Sequence, residues 1–307
     1  MTWLILVSLA TILDSTRIFV DNYASDVYFK GRGAVSQKLF YGYAFILITL
    51  ILLILTGFSF DSNYALNYAL FFASGLLSSV AGIPYYKALE LDDSTNIGIF
   101  TQLAPVLYLI LGWFFLNEVF SPLQLIAFVI ILSAPFLIIA TTKKRSRKIK
   151  IKAVLYASLY VFIAVIGNLI FVKENVPNLN FLSEMLFVFF GKGIGNLIIV
   201  YTRPKWRRRF HNVVQDSHYK VLRPLVANSI IGFAKDLVYR MGLITAPAVA
   251  LASAASDSAE PIVIFFMGLL LTLIWPKFGR EKLGKKPVMV HLTATILVVL
   301  GIILLQL

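Results

Sequence analysis

The feature that most constrains this chain is a series of apolar runs, each close to twenty residues, that recurs from end to end. Residues 123–140 and 292–307 are two of them. At about 1.5 Å per helical residue, such a run can cross roughly 30 Å of hydrocarbon. Only 14% of the 307 residues are charged, whereas soluble domains carry about 25%. The pattern predicts an all-α integral membrane protein.

The basic residues lie mostly in four short connectors between these runs. A net charge of +13 could indicate a nucleic-acid partner, but this placement is typical of cytoplasmic loops that face anionic lipid. We therefore expect contact with the lipid bilayer and no nucleic-acid partner. The connector residues are Lys30, Arg32, Lys38; Lys143, Lys144, Arg145, Arg147, Lys148, Lys150, Lys152; Arg203, Lys205, Arg207, Arg208, Arg209, Lys220, Arg223; and Lys277, Arg280, Lys282, Lys285, Lys286.

Ten transmembrane helices account for this distribution. With ten helices, the four basic connectors are the first, fifth, seventh and ninth loops, which all lie on the same face of the membrane. The same parity puts both termini on the non-cytoplasmic side of a multi-pass protein in the cell (inner) membrane. The predicted helices are 2–22, 35–57, 64–88, 94–116, 121–141, 152–173, 180–202, 222–244, 246–274 and 288–307.

An internal repeat divides the ten helices into two sets of five. In each set, an aromatic–basic pair (Tyr86-Lys87 and Tyr239-Arg240) precedes small residues, a proline and a bulky apolar run. Two repeats with five helices each have opposite orientations in the membrane, as in many transporters. We predict a first repeat over 1–142, a basic connector over 143–151 and an inverted second repeat over 152–307, around a central cavity.

Two segments of the repeat carry a family resemblance. LAPVLYLILGWFFLNE and SAEPIVIFFMGLLLTLIW resemble the fourth and ninth helices of the drug/metabolite transporter superfamily, EamA-type branch. The resemblance implies a secondary transporter whose fifth and tenth helices are peripheral. The chain departs from the family pattern at Asn117, where the family usually has glycine before Glu118, and its second glutamate is displaced to Glu281.

The predicted ninth helix contains carboxylates in an otherwise small and apolar run. Ser253, Ser256, Asp257 and Glu260 follow an i, i+3, i+4, i+7 spacing and share one helix face. A charge at mid-bilayer costs about 2.5–3.5 kcal/mol, so these groups should face the protein interior or a wet cavity. Pro261 cannot donate to the carbonyl of residue 257, which predicts irregular backbone beside Asp257.

The predicted eighth helix supplies candidate partners for these carboxylates. Asn228, Lys235 and Tyr239 lie on one stripe, and next to it Asp236 and Arg240 have the i, i+4 spacing of an intrahelical pair. Asp14 and Arg17 in the first helix should also pair. The charges that remain are those of Lys192 and Lys235 opposite Asp257 and Glu260. This set either works in transport or holds the helices in register.

The candidate site residues follow from this charge pattern and from neighbouring polar residues. There is no cysteine and the histidines lack metal-ligand spacing, so we expect no metal and no cofactor. The run GKGIGN at 191–196 is expected to let helices approach closely around Lys192. The predicted substrate-binding residues are Lys192, Lys235, Tyr239, Arg17, Asn228, Gln102 and Tyr86, and the predicted proton-coupling residues are Asp257, Glu260 and Asp14.

The favoured function is secondary active transport of a small polar metabolite, anionic or zwitterionic, by alternating access. Transport would be driven by proton coupling or by exchange, and the protein is expected to be a monomer or a homodimer. No enzymatic activity is expected. One alternative is an intramembrane aspartyl protease that uses Asp236 and Asp257. A lipid flippase or a channel is another alternative. The basic segment PKWRRRFHNV at 204–213 is expected to contact anionic lipid rather than nucleic acid.

Overall fold

A computed structural model describes residues 2–29, 34–91, 103–142, 151–176, 179–274 and 285–304. Within these ranges the regular structure is helical and no strand is present, so the all-α prediction is confirmed. Short 3-10 helices occupy Ala34–Gln37 and Ser62–Tyr64. The α-helices are α1 Thr2–Val27, α2 Lys38–Thr56, α3 Ala65–Leu91, α4 Ala104–Leu116, α5 Pro122–Thr142, α6 Ile151–Lys173, α7 Phe181–Tyr201, α8 Pro204–Asp216, α9 Leu222–Thr245, α10 Val249–Ile274 and α11 Lys285–Leu304.

Six helical segments of the described part are long and apolar enough to cross a membrane, which makes the chain a multi-pass membrane protein. Helix α9 is not among them, because Lys235, Asp236 and Arg240 lie in its second half. The arrangement of ten helices as an inverted repeat stays a prediction. The six segments are Thr2–Ser25, Val35–Thr56, Ser62–Ala88, Ile151–Lys173, Phe181–Tyr201 and Val249–Leu270.

The chain forms two compact units, and each unit takes residues from both halves of the sequence. Unit 1 comprises Met1–Phe19, Ser94–Ile151 and Ala234–Leu307. Unit 2 comprises Val20–Asp93 and Lys152–Phe233. Helices α1 and α9 therefore each contribute one part to unit 1 and the other part to unit 2.

In unit 1, α4 packs against α10 and α5 packs against α11. Two alanines make close packing possible: Ala134 of α5 and Ala294 of α11 lie in a buried apolar cluster with Ile262 and Val298. Between helices whose outer surfaces meet lipid, such small residues supply the van der Waals contact that holds the helices together.

Unit 2 is organised around α7, which packs against both α2 and α3. Glycines permit the contact with α3: a Cβ atom at Gly75 would overlap the carbonyl of Val188, and one at Gly191 would overlap the carbonyl of Phe72. The backbones of the two helices are thus too close for any side chain at these positions. The role predicted for the GKGIGN run is confirmed at Gly191.

Helix α8 lies in the basic connector between α7 and α9. Its apolar side is covered by unit 2, where Phe210 is buried with Phe29, Leu39 and Leu225 and is flanked by Trp206. The exposed side carries basic residues, among them Lys205 and Arg208. The apolar residues that the sequence left available for lipid therefore pack on protein, and the basic residues are held on the surface.

Candidate functional site

Charged residues of unit 1 meet at one place, which we call the unit 1 charge cluster: Asp14 and Arg17 of α1, Lys235 of α9, and Asp257 and Glu260 of α10. Asp14 joins the two cations. Its Oδ1 lies 3.0 Å from Arg17 Nε, and its Oδ2 lies 3.3 Å from Lys235 Nζ. The predicted Asp14–Arg17 pair is confirmed.

The register of α1 against α9 explains why Lys235 reaches Asp14. Gly242 allows the closest approach, because a Cβ atom there would lie 2.8 Å from Val7 Cγ1. Asp14 follows Val7 by seven residues, and Lys235 precedes Gly242 by seven, so the antiparallel helices meet again two turns away. The sequence had assigned Lys235 to the carboxylates of α10. The structure adds this ion pair with Asp14, and Lys235 also interacts electrostatically with Asp257 and Glu260.

Helix α10 brings its polar stripe to the same place. Thr11 and Ser256 share a hydrogen bond between their hydroxyl groups, 2.9 Å long, which joins α1 to α10 one turn before Asp14. Ser253 Oγ donates to Asp257 Oδ2 at 2.5 Å. Glu260, one turn further along α10, interacts electrostatically with Asp14, Asp257, Lys235 and Arg17. The predicted stripe of α10 therefore faces charged partners.

Tyr239 lies beside Lys235 at the edge of the unit 1 charge cluster. Its ring centroid lies 5.0 Å from Lys235 Nζ, and its hydroxyl interacts with the side chains of Tyr108 and Ser253. Arg240, which is buried, interacts electrostatically with Asp236 as the i, i+4 spacing predicts. Asp236 also interacts electrostatically with Asp14 and Lys235, so this second pair borders the cluster and adds no net charge to it.

The unit 1 charge cluster has a net charge when all its members are ionised. Three carboxylates (Asp14, Asp257 and Glu260) face two cations (Arg17 and Lys235), which leaves one excess negative charge. The side chains of Lys235, Asp14 and Arg17 are 19%, 21% and 38% exposed, so the cluster is not sealed. Since charged groups avoid hydrocarbon, the open side is expected to be wet.

The other predicted site residues lie in unit 2, apart from Gln102, which is outside the described residues. Lys192 Nζ lies 5.6 Å from the ring centroid of Phe45 and 6.0 Å from that of Phe189, which are cation–π distances. Tyr86 lies with its ring centroid 6.0 Å from Lys38 Nζ. The structure thus divides the predicted site residues between the two units.

Asn228 belongs to a set of hydrogen-bonded groups that we call the unit 2 polar network. Its side-chain amide donates to Asp21 Oδ1 at 2.7 Å and to the Tyr41 hydroxyl at 2.5 Å, and Tyr41 donates to Asp21 at 2.9 Å. The sequence had placed Asn228 on one stripe with Lys235 and Tyr239. In the structure its partners come from α1 and α2.

Lys38 is the polar residue of unit 2 whose burial the sequence most clearly missed. It had been counted with the basic connectors, but it is the first residue of α2 and only 5% exposed. Its Nζ donates to the Ser79 carbonyl at 2.8 Å and to Asn196 Oδ1 at 3.0 Å. The sequence did contain an indication of this burial, because Lys38 lies inside the predicted span 35–57, next to the polar residue Gln37.

Comparison with known proteins gives a family for the first half of the chain. Residues 27–140 match the EamA-like transporter family. This match confirms the predicted EamA-type resemblance. The match covers 114 of the 307 residues, so it shows a likeness of this part of the chain to that family. Comparison with the curated proteins found no match.

A likeness in fold to a solved structure covers nearly the whole chain. One solved crystal structure, described only as a protein, aligns with 98% of this chain and 95% of its own length. The TM-score is 0.63 and the sequence identity is 15%, so the likeness concerns the fold alone.

The EamA-type motif that ends in Asn117-Glu118 has a structural explanation here. Asn117 has φ = 55°, a left-handed conformation that glycine adopts freely and asparagine tolerates better than most residues. This turn directs Glu118 toward the first residues of α10, where its Oε1 accepts from the Val249 amide at 2.5 Å. Burial raises the pKa of Glu118, while the amides of Val249 and Ala250 oppose that shift.

Proposed function

We propose that this protein is a secondary active transporter that moves a small polar metabolite, anionic or zwitterionic, across the cell membrane by alternating access. Transport is driven by proton coupling or by exchange. The functional form is a monomer or a homodimer. The unit 1 charge cluster carries the proposal. Within the described residues it is the place where α1, α9 and α10 bring ionisable groups of both signs into mutual contact range.

The excess negative charge of the cluster favours proton coupling over exchange. One bound proton would balance three carboxylates against two cations, and a bound substrate could replace or displace that proton. Asp14 is the least suited carrier, because its two ion pairs stabilise the ionised form. Asp257 and Glu260 on α10 are therefore the proposed proton carriers.

The cations of the cluster support an anionic or zwitterionic substrate. Lys235 and Arg17 both bind Asp14, and the 38% exposure of Arg17 leaves it accessible to a ligand. A guanidinium group recognises carboxylate and phosphate oxygens in a bidentate geometry. We assign Arg17 and Lys235 to the acidic group of the substrate, with Tyr239 beside them.

The packing of corresponding helices supports an inverted repeat. In unit 1, α4 contacts α10 and α5 contacts α11, which are the fourth with the ninth and the fifth with the tenth predicted spans. In unit 2, α2 contacts α7, the second with the seventh. Pairs separated by five spans are the ones that a two-fold axis relating two five-helix repeats would bring together.

The neighbours of Asp236 and Asp257 do not favour the aspartyl protease alternative. Asp236 and Asp257 would have to share one proton at close range to act as an aspartyl dyad. Instead, Asp236 interacts with Arg240, and Asp257 accepts a hydrogen bond from Ser253. A cation beside one member of a dyad would favour its ionised form.

The test begins with a thermal-shift screen of amino acids, nucleotides and sugar phosphates, because a ligand stabilises the state that it occupies. The compound found is then labelled and offered to proteoliposomes with an imposed pH gradient. We expect saturable uptake by the wild-type protein and background uptake by Asp257→Asn.

Asp61→Asn is the matched control. It makes the same chemical change at an exposed carboxylate, which accepts from the Asn63 amide at a helix start where asparagine is equally suitable. Its uptake should equal that of the wild type. Full gradient-driven uptake by Asp257→Asn would contradict the proposed site.

A further inference from the structure

Two exposed tyrosines of unit 2 make an unusual contact on the outer surface of α2 and α7. Tyr43 is 52% exposed and Tyr201 is 48% exposed, yet their hydroxyl oxygens lie 2.5 Å apart. Only one of the two protons is used in this mutual hydrogen bond. The hydroxyl that accepts the bond retains its own proton and can donate it to a ligand oxygen.

A cation lies over one ring of this pair. The Arg207 guanidinium carbon lies 5.5 Å from the ring centroid of Tyr201, and Arg203 has a similar position over Trp206 at 5.4 Å. Helix α8 is fixed from below, because Phe210 is buried in unit 2 and Arg209 Nη2 donates to the Phe29 carbonyl at 3.3 Å. The basic residues are therefore presented by a packed helix and not by a free loop.

Exposed apolar side chains continue from the tyrosines along the same two helices. Leu47 and Ile54 of α2 are 59% and 79% exposed, and Ile198 of α7 is 55% exposed. Leu47 and Ile54 follow Tyr43 by four and eleven residues, so they lie on its face of the helix. Tyrosine at the end of such an apolar surface is typical of the membrane–water interface.

We propose that Tyr43, Tyr201 and Arg207 form a binding site for the headgroup of an anionic phospholipid, with its acyl chains along Leu47, Ile54 and Ile198. The guanidinium group would bind the phosphate, and the free tyrosine proton would donate to a phosphate or glycerol oxygen. The charge of the segment supports an anionic ligand, since five cations and no carboxylate lie between residues 203 and 209. This site is independent of the unit 1 charge cluster and of the transported substrate.

The test uses the full chain in detergent and counts bound lipid by native mass spectrometry, with phosphatidylglycerol, phosphatidylcholine and inorganic phosphate as probes. We expect the wild type to retain phosphatidylglycerol preferentially and Arg207→Gln to bind it roughly fivefold more weakly, the effect of one interfacial cation. Arg208→Gln is the matched control, because it removes the same charge one residue away on the exposed side of α8. Tyr43→Phe, which keeps the ring, should also weaken binding.

Three outcomes would overturn the proposal. Equal losses in Arg207→Gln and Arg208→Gln would show general attraction of a basic surface for anionic lipid. Displacement of phosphatidylglycerol by equimolar inorganic phosphate would show a simple anion site. Equal retention of phosphatidylglycerol and phosphatidylcholine would show that the headgroup charge is not recognised.

Discussion

The two compact units hold their intramembrane polar residues in opposite ways. In the unit 1 charge cluster, ions of both signs interact with one another, and Asp14 binds two cations at once. In unit 2, the hydrogen bonds of the described residues join charged side chains to neutral groups: Asp21 to Tyr41 and Asn228, and Lys38 to Asn196 and a backbone carbonyl.

This difference separates a region that can change its charge from one that holds helices in place. An ion pair responds to protonation of either partner, because the charge of its neighbours sets the cost of ionisation. An ion bound by amides and hydroxyls is fixed by geometry, and its loss leaves buried polar groups unsatisfied. Substitutions in unit 1 should therefore affect transport most, and those in unit 2 should affect stability most.

The largest effect is expected for Lys235→Ala in unit 1. Loss of this cation removes a charged partner of Asp14 and one proposed contact for the substrate. Since a charged hydrogen bond contributes about 1.5–3 kcal/mol, gradient-driven uptake should fall roughly tenfold to a hundredfold. Lys235→Arg retains the charge and should keep part of the activity. Uptake by Lys235→Ala at the wild-type rate would remove the distinction between the units.

Lys38→Met in unit 2 should instead lower stability. The substitution keeps an unbranched side chain, one atom shorter, but leaves the Ser79 carbonyl and Asn196 Oδ1 without this donor. A loss of about 1–3 kcal/mol in the free energy of unfolding is expected in detergent. Lys152→Met, at an exposed position, should change it little. A variant of Lys38 that keeps full stability but does not bind substrate would indicate that the substrate site lies in unit 2.

The smallest effect is expected on the pH dependence of stability, from Glu118, which lies outside the membrane spans of unit 1. Because burial raises its pKa, the folded state holds the proton more tightly than the unfolded chain. Its contribution to stability therefore falls as pH rises from about 4.5 through the pKa of the folded state. Relative to Glu118→Gln, the wild type should lose stability over that range. An identical pH dependence of both proteins, measured by thermal unfolding, would contradict this.

Local patterns in the sequence predicted the parts of the structure that depend on a single helix. The stripe Ser253–Asp257–Glu260 and the Asp14–Arg17 pair follow from the helical period alone. Glycine spacing likewise predicted the close approach at Gly191. In each case the pattern that carries the prediction lies within a few turns of one helix, although the helix that approaches Gly191 could not be named from it.

The partners that come from distant helices could not be predicted in this way. Lys235 meets Asp14 because of the register that Gly242 and Val7 set, and Asn228 meets Asp21 across 207 residues of sequence. Lys38 was assigned to a loop because a lysine near a span end can equally reach the interface. Helix register and burial decide these cases, and neither is encoded in local periodicity.

The central claim is that the unit 1 charge cluster exchanges a proton during transport. Proteoliposomes loaded with a pH-sensitive dye test it directly, when the compound from the thermal-shift screen is added without an imposed gradient. We predict a proton signal that accompanies substrate movement in the wild type and is absent in the Asp257→Asn, Glu260→Gln double variant. Substrate movement without a proton signal in the wild type, or an unchanged signal in the double variant, would contradict the claim.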